Sequence, residues 1–147
     1  MTAGYQIASA LAPPVYTAFV LARRGRASFS VNRLLRATWI AGLGGAAASG
    51  AVSYAWYSKC SDDSLRLRRL KVAYDTDRVR AEDHATIGAI LMSVLTPALL
   101  WKQASTVNLV LGGAGLGTGM GLLTHHVRTL TGDPPPKIEA PIIPVVE

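Results

Sequence analysis

Three histidines, a single cysteine and a run of glycines are the residues of this chain whose types could do chemistry. His84, His125 and His126 are metal or haem ligand types, Cys60 is a thiol nucleophile or zinc ligand type, and Gly112–Gly119 could cradle a phosphate. Spacing argues against each. Neighbouring residues on a helix of 3.6 residues per turn point ~100° apart, so His125 and His126 make a poor bidentate pair and read as a polar cap on the last apolar segment. A lone Cys60 permits neither an internal disulfide nor a cysteine zinc site, and reads as an interfacial thiol. The dinucleotide fingerprint needs glycines at i, i+2 and i+5 after a strand. Counting from Gly113 and Gly115 the third place is Thr118, and from Gly115 and Gly117 it is Met120. No glycine precedes a Lys-Ser or Lys-Thr pair, so there is no phosphate loop. The sequence therefore predicts no catalytic residue, no cofactor and no metal.

The elements that carry these residues are apolar runs. Residues 37–58 hold no charge across 22 positions, with Trp39 near one end and Tyr54, Trp56 and Tyr57 near the other. That is the length and the aromatic placement of a membrane-crossing helix. Residues 85–101 and 103–124 are also uncharged, separated by Lys102. As one helix they would run about 60 Å, twice a bilayer core, so the chain must turn back near Lys102–Thr106. Residues 2–22 form a fourth uncharged run with Pro13 and Pro14 in its middle; it reads as a kinked span or a helix lying in the interface. It does not read as a secretory signal, because the arginines follow the run instead of preceding it. The fold class expected is an all-α integral membrane protein of three to four transmembrane helices, including a C-terminal Gly-rich helical hairpin. Residues 1–132 form one membrane domain with spans at about 2–22, 36–58, 85–101 and 105–127. Residues 59–84 form an amphipathic connector, in which Leu67, Leu70 and Tyr74 recur at helical spacing, and 133–147 a Pro-rich extended tail.

Composition agrees with this plan. Of 147 residues, 50% are apolar, 16% charged and 7% aromatic, and 14 are glycine. Charged residues make up roughly 25% of ordinary soluble domains. The net charge of +6 is not that of a nucleic-acid binder, because residues 59–84 carry seven Lys/Arg against six Asp/Glu. Arg23, Arg24, Arg26, Arg33 and Arg36 instead cluster without an acid beside the 37–58 run. Such a loop belongs on the inner side of a membrane, with both termini outside, and is suited to anionic phospholipid headgroups such as cardiolipin. The four uncharged runs hold no Asp, Glu, Lys, Arg or His, although pumps and proton relays keep such residues at membrane depth.

What remains is the order of the small residues. Ala41, Gly45, Ser49 and Ser53 repeat every four positions, with Gly42, Ala46 and Gly50 beside them, and Gly113, Gly117 and Gly121 do the same near the C-terminus. Residues four apart share a helix face, and small faces are what membrane helices pack through. Gly42, Gly45, Ser49, Gly113, Gly117 and Gly121 are the expected packing residues, within this chain or against other membrane subunits.

The apolar start, the Arg23–Arg36 stretch, the Gly/Ala span RATWIAGLGGAAASGA, the polar middle and the Gly-rich hairpin together resemble the fungal NUXM-type accessory subunit of mitochondrial respiratory complex I. The resemblance covers about residues 30–130. It implies a subunit of NADH:ubiquinone oxidoreductase in the mitochondrial inner membrane that carries no redox centre. The four-span plan is also similar to the inner-membrane preprotein translocase family, whose members have Gly-rich helices and termini facing the intermembrane space; Arg78 and Asp83 are an approximate fit to its signature. The alternating glycines of Gly113–Gly121 resemble those of cristae-organising membrane proteins, a shorter family without the long polar middle.

Overall fold

The computed structural model describes residues 2–25 and 29–133, apart from the side chains of Arg24 and Asp62. These residues form five helices and no strand: α1 (Thr2–Arg24), α2 (Val31–Tyr57), α3 (Asp62–Ala73), α4 (Thr76–Leu100) and α5 (Thr106–Leu130). Two of them, α4 and α5, are long and apolar enough to cross a membrane. The expected tail falls outside the described residues except for Asp133.

Local chemistry sets the ends. Gly25 stops α1 with a φ of +72°, a left-handed conformation that glycine adopts without the Cβ clash. Gly132, with a φ of +99°, ends α5, and the Asp133 N–H donates to the Arg128 carbonyl at 3.2 Å, closing the helix in a Schellman motif. Asp75 caps α4 by accepting from the Arg78 N–H at 3.2 Å.

Two expectations about boundaries change. The 59–84 connector is not one amphipathic helix: the cap at Asp75 divides it, and residues 76–84 are the first turns of α4. In α3 itself, Leu67 and Leu70 lie on one face, but Leu65 and Val72 fall on the opposite one at 100° per residue, so no continuous apolar face forms. Helix α2 starts at Val31, five residues before the expected span, so Arg33 stands inside it. Helix α1 includes Pro13 and Pro14.

The helices pair antiparallel where they are consecutive and long. Gly4 of α1 meets Gly45 and Ser49 of α2, with Ala8 against Gly45; Gly88 of α4 meets Gly117 of α5, with Met92 beside Gly113. The two pairs join through α5. Leu35 and Thr38 of α2 lie on Gly112 and Gly115, and Ala10 of α1 lies on Gly119. Helix α5 is thus the axis of the bundle, α4 leans on it from one side, and α3 barely touches α4.

The distribution of residue sizes is inverted relative to a water-soluble core. Among the described residues, Val20, Leu35, Ala85 and Leu109 are the buried hydrophobics, joined by Ser9, Thr38, Thr96, Asn108, Thr118 and His125. Small residues fill the rest: α5 alone buries Gly112, Gly113, Gly115, Gly117, Gly119 and Gly121. The bulky residues face outward: Ile7, Leu11, Val15 and Phe19 form a ridge every four residues on α1, and Ile87, Ile90, Leu91, Val94 and Leu99 cover α4. Inner hydroxyls bond within their own helices, Thr38 to the Leu34 carbonyl at 2.9 Å and Thr118 to that of Ala114 at 2.9 Å. Such back-bonding satisfies a hydroxyl without water.

Candidate functional site

The small-residue seams are the most constructed part of the molecule. A Cβ on Gly117 would enter the carbonyl oxygen of Gly88, and a Cβ on Gly88 would enter that of Gly117. The same reciprocal arrangement joins Gly4 and Gly45 between α1 and α2. A glycine Cα–H occupies the direction a Cβ would take, so each seam places Cα–H groups against carbonyl oxygens of the facing helix. Such contacts contribute perhaps 0.5–1 kcal/mol each. Gly113 faces the Met92 carbonyl and Thr96, and Gly121 faces the His84 carbonyl. Gly113, Gly117 and Gly121 are therefore brought together on α4, while Gly42, Gly45 and Ser49 lie on α1, Gly42 beneath the Tyr5 ring. Ser49 keeps its hydroxyl on the Ala46 carbonyl at 3.1 Å.

A polar knot fastens α2 to α5 near one end. Asn108 is 8% exposed; its Oδ1 accepts from Trp39 Nε1 at 3.0 Å and its Nδ2 donates to Asn32 Oδ1 at 2.7 Å. Asn32 Oδ1 also accepts from the Ser105 N–H at 3.3 Å, so the start of α2 and the turn before α5 share one end of the bundle. The exposed side chains of Arg23, Arg33 and Arg36 belong to that end, with the Arg23 guanidinium 5.5 Å from the Phe19 ring centroid. Arg26 lies outside the described residues, and of Arg24 only the backbone is described.

No family model, no curated protein and no solved structure matches this chain.

The opposite end carries mixed charge. His125 is 3% exposed and meets Asp77 Oδ1 at 3.2 Å through Nε2, whereas His126 is exposed. The 100° between neighbours turns one imidazole into the seam and the other out, so His125 is a buried contact and not a surface cap. His84 Nδ1 lies 2.7 Å from the Arg80 carbonyl. Asp133 Oδ2 receives Arg80 Nη2 at 2.7 Å and Arg128 Nη2 at 2.9 Å. The Arg80 hydrogen bond and charge, with Arg128 adding to them, hold the Asp133 carboxyl below the usual carboxylate range. Thr2 donates to Glu82 at 3.1 Å, tying the start of α1 to this end. Cys60 sits half-buried after α2. Among the described residues no group of three or more His, Cys, Asp and Glu side chains is placed to hold a metal ion.

Several of these residues escaped the sequence reading. Gly88 stands alone beside the Ala81, Ala85, Ala89 repeat, one position off it, and that repeat was the available signal for the facing strip. Gly4 begins a Gly4, Ala8, Ala12 repeat, the signal for the strip that meets Gly45. Asn32 and Trp39 could be matched to Asn108 only once α2 and α5 were known to be neighbours.

Proposed function

We propose that this chain is an integral membrane protein crossing the bilayer with four helices, α1, α2, α4 and α5, the last two as a Gly-rich hairpin. Its role is that of a non-catalytic accessory subunit in the membrane arm of mitochondrial respiratory complex I, supporting assembly or stability.

The observation that carries the membrane reading is the inverted size distribution. In water, the outward Ile, Leu, Val and Phe residues would forfeit ~25 cal/mol for every Å² of apolar surface left exposed, and soluble monomers rarely leave such patches open. In lipid the same surface is satisfied, and small inner faces supply the close packing that lipid cannot drive. Helices α1 and α2, of 23 and 27 residues, measure about 35 and 40 Å at 1.5 Å per residue, enough for a ~30 Å core.

The end that holds Arg23, Arg33, Arg36 and Lys102 is assigned to the matrix side, where it meets anionic headgroups such as cardiolipin, and both termini to the intermembrane space. The assignment to complex I rests on the resemblance of residues 30–130. Other membrane subunits are then its partners, and the localisation is the mitochondrial inner membrane. Native gel electrophoresis of mild-detergent extracts, with staining for NADH dehydrogenase activity, tests it. A tagged copy is expected to migrate with the active band. Migration in a smaller band without that activity would contradict complex I membership and favour a translocase-like or cristae-organising assembly.

A further inference from the structure

We propose that the outer furrow between α4 and α5 is a binding site for one membrane phospholipid, which takes an acyl chain along the furrow and its phosphate at the Arg80–Arg128 end. The inference rests on the membrane reading above.

The furrow encloses about 730 Å³ and runs along α4 from His84 to Ala98, about 21 Å at 1.5 Å per residue, against ~15 Å for the hydrocarbon of one leaflet. It exists because the seam beneath it lacks side chains. Gly88 and Gly121 form its floor, while Ile87, Leu91, Leu95 and Met120 rise as its walls. A furrow of this kind fits a hydrocarbon chain at full length.

Polarity identifies the occupant as an amphiphile with one polar end. From Ile87 to Ala98 the lining is apolar; His84 and Thr124 close the remaining end. One helical turn beyond each of them, on the same ridge, stand Arg80 and Arg128. The two guanidiniums converge on a single carboxylate, Asp133, at 2.7 and 2.9 Å. Both guanidiniums stand at that mouth with the Asp133 carboxylate, and Asp77 lies behind it on His125. Arg128 remains half-exposed and spends one of its five N–H donors on Asp133, so it has donors free for a phosphodiester. The shared carboxylate draws both guanidiniums to the mouth. A phosphodiester headgroup on an acyl chain matches an apolar groove with guanidiniums at one end.

The test uses the full chain in vesicles containing phosphatidylglycerol with a mid-chain diazirine, irradiated and mapped by peptide mass spectrometry. Label is expected to concentrate on 91–98 and Met120. Ile87→Trp, at an outward residue of the wall, should fill the furrow and cut that label about tenfold. Arg128→Gln should cut it about fivefold, and Val52→Trp on α2 should leave it unchanged. Even labelling over outward residues such as Leu11 and Val52, or label on 91–98 that survives Ile87→Trp, would overturn the proposal. So would protein cross-links in place of lipid at these positions in native membranes. Alkaline carbonate extraction of the same vesicles reports the membrane reading separately: extraction of the chain would defeat that reading, whereas retention with even labelling would defeat only the furrow.

Discussion

Gly117→Ala is expected to destabilise the bundle by about 1–3 kcal/mol, the range for overpacking a tight contact, although it adds a single methyl group. The new Cβ would enter the Gly88 carbonyl oxygen, lie 2.5 Å from the Gly88 carbonyl carbon and 2.8 Å from Met92 Cβ. Two of those atoms are backbone and cannot rotate away, so α4 must move off α5. Gly44→Ala is the matched control, because nothing stands within 4 Å of the Cβ position there. Glycine costs a helix interior ~1 kcal/mol relative to alanine, so this second substitution should leave stability unchanged or raise it. Thermal unfolding in detergent compares the two. Opposite signs are expected; equal effects would mean that the α4–α5 seam is not the close contact described.

Asn108→Leu is expected to cost about 1–2 kcal/mol. It removes the acceptor for Trp39 Nε1 and the donor to Asn32, and an unmade buried hydrogen bond costs ~1–3 kcal/mol in general. In membrane proteins measured coupling between such pairs averages ~0.6 kcal/mol with a maximum of ~1.7. A double-mutant cycle with Trp39→Phe isolates the pair. Coupling within that range supports the knot, and strict additivity of the two substitutions would show that it contributes nothing.

How far the sequence led depended on whether a feature was local. The helices were legible because charge-free runs of membrane length are local, and the stop before α5 was legible from Lys102. The face shared by Gly113, Gly117 and Gly121 followed from four-residue spacing, and that face lies against α4. The division of 59–84 was hidden because Asp75 caps a helix whose polar first turns, Thr76 to His84, look like connector. Likewise, buried His125 was hidden because its partner Asp77 is 48 residues away in sequence and meets it only when α4 returns along α5. Asn32 with Asn108, and Gly4 with Gly45, are pairings of the same kind. Their chemistry is visible in each residue, but their partnership exists only in the packed bundle.

The central claim is that large apolar side chains face lipid while glycines face each other. Spin labels at Val15, Val52, Leu91 and Val94, introduced one at a time as cysteines in a Cys60→Ser background and reconstituted in vesicles, report it most directly. Each label's collision rate is measured with molecular oxygen, which concentrates in the bilayer, and with a water-soluble nickel chelate. The account predicts high oxygen and low nickel accessibility at all four positions, which lie on three different helices. High nickel accessibility at Leu91 and Val94 would contradict it, because the outward face of α4 would then be in water.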